Sequence, residues 1–329
     1  MSAKSATAVA ELATGPALAR PRLNRAAVLF CFFSIYLIWG STYLAIRYAV
    51  ETIPPLYAAG IRHLIAGLIL LAWCLAKRLR PTWAQVRASF IIGTFFFLGG
   101  HGSLHWAEQK VPSGLASLLI ASEPLWVFLL FAIVAKRWRA NATLLAGIVL
   151  GFGGVGLLMG RSALTAGPGV FLGSLAILIG ALSWSVGIVY SRQSHLSGHP
   201  LLLTTLSLLA GSLQLLLAGT IAGEYRGFSF ATVTTRSWLA LGYLIFFGSV
   251  VAFTAYNWLL EHYSPTLVAT HTYVNPIVAV LLGWLVAGEA VTLNVLLSTA
   301  MVIGAVMLVD RGTTLLKQSP SQRESAVCS

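Results

Sequence analysis

The chain has 329 residues, of which 57% are hydrophobic and only 9% are charged, and its mean hydropathy is +0.84. Soluble domains are about 25% charged, so these values exclude an ordinary soluble fold, a disordered chain and a coiled coil. The net charge of +12 has to be weighed against the excess of Lys and Arg in cytoplasmic loops before a nucleic-acid partner is considered. Composition therefore predicts an integral membrane protein.

Apolar runs long enough to cross a bilayer follow one another along the chain, separated by short polar breaks. They predict an all-α integral membrane protein with ten transmembrane helices, at about 26–50, 56–76, 88–107, 112–135, 142–160, 169–190, 200–222, 238–260, 265–287 and 291–309. Residues 1–25 and 311–329 are predicted to be terminal tails.

Lys and Arg are unevenly distributed over the predicted loops. The two tails and the even-numbered loops carry 15 of these residues, and the odd-numbered loops carry 4. The positive-inside rule therefore predicts that both termini and the loops 77–87 and 136–141 are cytoplasmic, and that 161–168 and 223–237 are periplasmic. This distribution accounts for the positive charge without a nucleic-acid partner.

The two halves of the sequence share an ordered pattern. Glu123-Pro124 in the fourth span corresponds to Asn275-Pro276 in the ninth at an offset of 152 residues. The pattern predicts two repeats, 26–160 and 169–310, joined by a periplasmic loop at 161–168. Because each repeat has an odd number of spans, the second enters the membrane from the opposite side, which gives the inverted repeat common in secondary transporters.

Five segments together resemble the EamA family of the drug/metabolite transporter superfamily. They are Ile38-Trp-Gly-Ser-Thr-Tyr43, Ala59-Gly-Ile-Arg62, Val111-Pro-Ser-Gly114, Tyr273-Val-Asn-Pro-Ile-Val-Ala-Val280 and Gly288-Glu289. The resemblance implies a multi-pass transporter of a bacterial inner membrane that exports amino acids or related small metabolites, by proton antiport or by facilitated diffusion. The first repeat departs from the pattern, because Lys136-Arg137 stands where the second has Gly288-Glu289.

Ionisable side chains inside a membrane are costly, and they are therefore functional candidates. The guanidinium of Arg62 is predicted to hold a substrate carboxylate or to pair with Glu123. A structural ion pair, or a side chain that reaches the membrane interface, is the alternative. Glu123 precedes Pro124 at mid-span, so it is predicted to serve a substrate or proton site, unless it is permanently paired with Arg62 or a histidine. Pro124 and Pro276 are predicted to be gating kinks.

His101 and His105 are four residues apart and share one face of the third span. This spacing is compatible with a metal site, with a polar face of a cavity or with hydrogen-bonded structural histidines. Because no third metal ligand is evident, a cavity face that takes part in proton coupling with Glu123 is favoured and no metal is expected. His271 and Asn275 form a similar face on the ninth span.

Aromatic side chains complete the predicted site. Trp39 and Tyr43 lie on one face of the first span, and Trp184 corresponds to Trp39 in the second repeat. Such walls suit apolar or planar substrates, although Trp and Tyr also form interfacial belts. The full predicted substrate cavity is Trp39, Tyr43, Arg62, His101, His105, Glu123, Trp184, His271 and Asn275.

Together these features predict a secondary transporter that works by alternating access, with a small-molecule substrate, no cofactor and no nucleic-acid partner. A homodimer is left open. The alternatives are an intramembrane enzyme and a membrane receptor that does not transport. An enzyme is disfavoured because no nucleophile–base pair or metal cluster is evident.

Overall fold

The computed structural model describes residues 24–134, 141–165, 167–194, 198–263, 265–268 and 270–317. Within these ranges the long elements are all helices. Numbered in chain order, they are α1 Arg25–Ala49, α2 Pro55–Ala76, α3 83–107, α4a Ser113–Ile120, α4b Glu123–Val134, α5 Ala142–Thr165, α6 Pro168–Gln193, α7 Pro200–Ile221, α8 235–262, α9a Pro265–Val268, α9b His271–Ala287 and α10 Leu293–Lys317. Most of the predicted tails and most of the loop 136–141 lie outside the described residues.

Eight of the described helices are long and apolar enough to cross a membrane, namely α1, α2, α4, α5, α6, α7, α8 and α10. The helix α9b is apolar but shorter. Large apolar side chains such as Leu29, Val149, Ile221 and Leu239 are exposed on the outside of the bundle. Because water does not favour a surface of this kind, the outside of the bundle is suited to lipid.

Several helix ends differ from the sequence prediction. Most of the segment 161–168, predicted as a loop, is helical, because α5 continues to Thr165 and α6 begins at Pro168. The fourth predicted span is interrupted at Ala121–Ser122, and Pro124 lies in the first turn of α4b. A proline there loses no helical hydrogen bond, so the interruption precedes Pro124. Pro276, by contrast, lies inside α9b.

Three helices contain a π-helical segment, at Ser34–Ile38 in α1, Thr94–His101 in α3 and Leu244–Val251 in α8. The segments in α3 and α8 have the same length of eight residues and are 150 residues apart. Insertions of this type occur frequently at functional sites, where they change the direction of the side chains that follow.

The helices of the two halves pack against each other in a regular pattern. The helix α2 packs on α7, and α5 packs on α10. The first helix of each half packs on the third and fourth helices of the other half, so that α1 contacts α8 and α9b, and α6 contacts α3 and α4. The interface between the halves therefore includes the pairs α2–α7 and α5–α10 as well as α1, α3, α4, α6, α8 and α9.

Three carboxylates from the connections between helices meet the opposite half at one end of the bundle. Glu51 forms an ion pair with Arg236, and Glu224 accepts hydrogen bonds from the backbone N–H groups at the start of α2, at 3.1 Å. Glu289 holds the start of α4a. We call this the carboxylate end, defined by Glu51, Glu224 and Glu289.

Candidate functional site

Arg62 lies at the interface between the halves, on α2, and is only 2% exposed. Its Nε donates a hydrogen bond to Ser249 Oγ in the π segment of α8, at 2.9 Å, whereas its Nη1 has no hydrogen-bond partner in the described part of the chain. Arg62 forms no ion pair with a described residue, Glu123 included. Its charge is therefore buried with part of its hydrogen-bonding capacity unused.

Three histidines lie next to Arg62, because α2 and α3 pack together. His63 Nε2 is 2.7 Å from His101 Nδ1, and His105 Nδ1 is 2.8 Å from the carbonyl of His101. Both of these side chains, His63 and His105, are fully buried, and no described residue forms a hydrogen bond with His63 Nδ1 or His105 Nε2. We call His63, His101 and His105 the histidine cluster. His63 was not among the predicted site residues.

Trp184 on α6 connects the histidine cluster to the second half. Its ring stacks on His101, with ring centroids 5.1 Å apart, and on Phe96, at 4.3 Å. A Cβ at Gly100 would lie 2.9 Å from this ring, so the glycine permits the close approach. The predicted residues Arg62, His101, His105 and Trp184 thus lie in one packed region.

A second group of predicted residues surrounds Trp39 on α1. The Trp39 ring centroid is 5.0 Å from that of His271 and 5.2 Å from that of Tyr256. Trp39 Nε1 donates to the carbonyl of Gly248 in the π segment of α8, at 3.1 Å. Tyr256 belongs to this group, although it was not among the predicted residues of the substrate cavity.

Asn275 on α9b is buried and faces the π segment of α1. With its amide oriented by the surrounding acceptors, its nitrogen donates to the carbonyls of Ile35 and Tyr36, at 3.1 and 3.0 Å. It also donates to the carbonyl of His271, at 3.1 Å. Asn275 therefore joins the two halves through backbone groups.

Glu123 begins α4b at the interruption in the fourth span. Its backbone carbonyl accepts a hydrogen bond from Ser185 on α6, at 3.3 Å. Its carboxylate forms no ion pair with a described residue. Tyr43 and Tyr256 are close enough to interact with its charge, which places Glu123 near the Trp39 group.

Two further carboxylates were not predicted as site residues. Glu108, at the end of α3, is only 2% exposed, and no described residue donates a hydrogen bond to either of its carboxylate oxygens. Glu289 accepts from the backbone N–H of Ser113, at 2.8 Å, and of Gly114, at 3.0 Å, and forms an ion pair with Arg47. Glu108 was missed because the predicted apolar run ends one residue before it. Glu289 had been noticed only as part of the family resemblance.

Two cavities in the structure lie away from the predicted residues. A cavity of about 340 Å³ near the carboxylate end is lined by Arg47, Lys110 and Glu289, among others. A groove of about 430 Å³ on the outside of α1 and α8 is lined mainly by apolar side chains, with Arg236 at its edge. None of the nine predicted residues lines either cavity.

The described residues contain no group of three or more His, Cys, Asp and Glu that could hold a metal ion. The arrangement instead offers a buried guanidinium, imidazoles, aromatic rings and the carboxylates of Glu108 and Glu123, neither of which forms an ion pair with a described residue. Such a set can recognise a small polar molecule and can exchange protons with it or with water.

Apolar helices in a duplicated arrangement, with charged groups buried between the halves, define a multi-pass membrane protein of the transporter class. The family model described as the EamA-like transporter family matches residues 26–160 and 171–310. The chain belongs to this family.

Curated relatives carry the names of transporters. The chain is 37% identical to the uncharacterized inner membrane transporter YedA of Escherichia coli (strain K12), an alignment that covers 88% of this chain and 92% of YedA. It is 26% identical to the uncharacterized transporter YoaV of Bacillus subtilis (strain 168), over 84% and 94% of the two chains. These relatives and the apolar helices identify a multi-pass inner membrane protein.

A solved crystal structure of another protein shares the fold. It superposes with a TM-score of 0.61, covers 90% of this chain and 100% of its own, and is 21% identical in sequence. At this level of identity the likeness concerns the fold alone.

Proposed function

We propose that the chain is a secondary transporter that exports amino acids or related small metabolites across the inner membrane by alternating access. The observation that carries the proposal is the position of the buried Arg62 and the half-buried Glu123 at the interface between the halves, where neither forms an ion pair with a described residue. Buried charges are expensive, and membrane proteins retain them mainly along substrate and ion pathways.

The proposed architecture is ten transmembrane helices arranged as two inverted five-helix repeats. The packing pattern stays the same when each helix of the first half is exchanged with the corresponding helix of the second half. The contacts α2–α7 and α5–α10 are each exchanged with themselves, and the contact α1–α8 is exchanged with α6–α3. The π segments of equal length in α3 and α8 support the same symmetry. The excess of Lys and Arg in the opposite loops supports cytoplasmic termini and a carboxylate end that faces the periplasm.

In this proposal Arg62 binds the carboxylate of the substrate, since the guanidinium fork matches two carboxylate oxygens. Trp39, Tyr43, Trp184, His271 and Asn275 complete the walls of the substrate site. Glu123, His101 and His105 carry protons during antiport, and the chain bends near Pro124 and Pro276 as the halves move.

The decisive experiment is reconstitution of the purified full-length chain into sealed liposomes. Counterflow of a radiolabelled amino-acid mixture should appear with wild-type protein and not with empty liposomes. An imposed pH gradient should accelerate this flux in wild type but not in Glu123→Gln. Absence of flux for amino acids and related metabolites would contradict the proposal, and a flux that ignores the pH gradient would leave facilitated diffusion as the mechanism.

A further inference from the structure

A buried basic side chain and a buried acidic side chain lie near each other between the halves but do not form an ion pair with each other. Arg62 and Glu108 are each only 2% exposed, and they interact electrostatically without forming an ion pair. Arg62 Nη1 and both carboxylate oxygens of Glu108 have no hydrogen-bond partner among the residues that the structure describes. The backbone N–H of Arg47 faces the Glu108 carboxylate but is not in hydrogen-bond geometry with it.

Unpaired buried charges are unusual because each one loses its hydration. The neighbouring pair Arg47 and Glu289 shows that this part of the fold can close an ion pair, since the Glu289 carboxylate also accepts from Ser113 and Gly114. Arg62 and Glu108 are held apart instead. A molecule that carries both an ammonium and a carboxylate would satisfy both of them.

The surroundings fix each charge on its own side of the region. Arg62 is held by Ser249, and a Cβ at Gly248 would lie 3.2 Å from Arg62 Nη2, so α8 leaves little space behind the guanidinium. The histidine cluster lies beside Arg62 on the first half. The ionisable groups that face Glu108 are Arg47, Glu289, Tyr43 and Arg62. The unpaired atoms therefore lie where α1, α2, α3 and α8 of the two halves meet.

We propose that Glu108 and Arg62 are the two poles of a site for zwitterions, in which Glu108 receives the ammonium and Arg62 receives the carboxylate. A carboxylate can accept several N–H bonds of an ammonium group, and charge-assisted bonds of this kind are strong. The proposal rests on the transport function proposed above and adds the residue that selects the positive group. Because both poles are buried, a ligand reaches them only when the halves separate.

The test uses the full-length protein in liposomes and three competitors of counterflow: L-leucine, the amine that leucine becomes without its carboxylate, and the acid that it becomes without its amino group. Leucine should compete with the labelled amino-acid mixture better than either fragment in wild type. In Glu108→Gln, the concentration of leucine needed to inhibit counterflow by half should rise about tenfold, which corresponds to the loss of one charge-assisted bond. The concentration needed of the acid should not change. In Arg62→Gln, leucine should compete less well than in wild type, and the competition by the amine should not change.

Glu224→Gln is the matched control, because Glu224 lies at the same end of the bundle but uses its carboxylate on the backbone of α2. In this variant, leucine, the amine and the acid should each compete as well as they do in wild type. If Glu108→Gln fails to fold, Glu108→Asp is the second variant, because it keeps the carboxylate on a shorter side chain. In Glu108→Asp, leucine and the amine should compete less well than in wild type, and the acid should compete equally well.

The outcomes separate the two proposals. If wild type transports amino acids but the Glu108 variants change all three competitors equally or not at all, the zwitterion site is overturned and the transport function stands. If wild type transports no amino acid or related metabolite, the transport function itself fails.

Discussion

The helices α4 and α9 hold equivalent positions in the two repeats, and each contains a polar residue followed by a proline, but the structure around this dipeptide differs. In α4 the helix is interrupted at Ala121–Ser122, and Glu123-Pro124 opens a new segment. In α9b, Asn275-Pro276 lies inside a helix that began at His271. The Glu123 carboxylate has no ion pair among the described residues, whereas the Asn275 amide donates to three carbonyls. In the second half, the residue at this position therefore stabilises the contact between α9b and α1. In the first half, the residue at this position is a carboxylate without an ion pair to a described residue.

The segments that follow these helices differ in the same sense. Glu289, after α9b, accepts hydrogen bonds from the start of α4a and pairs with Arg47. The corresponding residue after α4b is Arg137, which lies outside the described residues. An arginine has no acceptor for a backbone N–H group. The sequence therefore provides this carboxylate connection between the halves at one end only.

The largest expected effect comes from removing that connection. Glu289→Ala leaves Arg47 unpaired and two backbone N–H groups of α4a without acceptors, which should lower the free energy of unfolding by about 3 kcal/mol or more. The midpoint of thermal unfolding in detergent measures this loss. Glu289→Gln retains an acceptor and should lose less. Equal midpoints for Glu289→Ala and wild type would show that the halves do not depend on this contact.

Asn275→Leu tests the brace in α9b directly. It removes the donor from carbonyls of the π segment of α1 and should cost about 1–3 kcal/mol, the usual penalty for a buried group left unsatisfied. Asn257→Leu is the control, because its amide donates mainly to the carbonyl of Phe253 in its own helix, at 2.9 Å. If both variants unfold at the same temperature, the contact between α9b and α1 is not a brace.

A smaller effect is expected at Glu51, which also joins the halves at the carboxylate end. Its partner Arg236 is 60% exposed, and ion pairs near water contribute little. Glu51→Gln should therefore lower the unfolding free energy by at most about 1 kcal/mol. A loss as large as that of Glu289→Ala would contradict the view that burial distinguishes the two contacts.

The smallest change in stability is expected at Glu123. Because its carboxylate has no ion pair to lose, Glu123→Gln should keep the unfolding free energy within about 0.5 kcal/mol of wild type. The same variant should lose the response of transport to a pH gradient. A destabilised variant with a normal pH response would instead mark Glu123 as a structural residue.

Sequence patterns predicted the apolar helices well where a proline marks the start and the apolar run is continuous. The span predicted at 200–222 is α7, Pro200–Ile221, and the span predicted at 56–76 is α2, Pro55–Ala76. The π segments were not predicted, because hydrophobic periodicity does not report which carbonyl each N–H group reaches.

Only part of the site was predicted, because sequence patterns along one helix do not report contacts between helices. Spacing along one helix identified His101 and His105, but the contact between His101 and His63 joins two helices, 38 residues apart in the chain. Glu108 lies one residue beyond the predicted span and was treated as a loop residue. Its burial depends on how the helices of the bundle pack around it, which no single segment encodes.

The π segments also affect how the helices are to be aligned. Each extra residue in a helical turn rotates everything after it by about 100° relative to an uninterrupted helix. A face drawn along α8 at a constant period of 3.6 residues therefore cannot describe both Thr235–Tyr243 and Ala252–His262. A scan of single-cysteine labelling along α8 should show two phases of accessibility that meet within Leu244–Val251. In a sequence comparison of the repeats, a gap is expected inside the π segment of α1, which has no counterpart in α6, whereas the equal π segments of α3 and α8 should align without one.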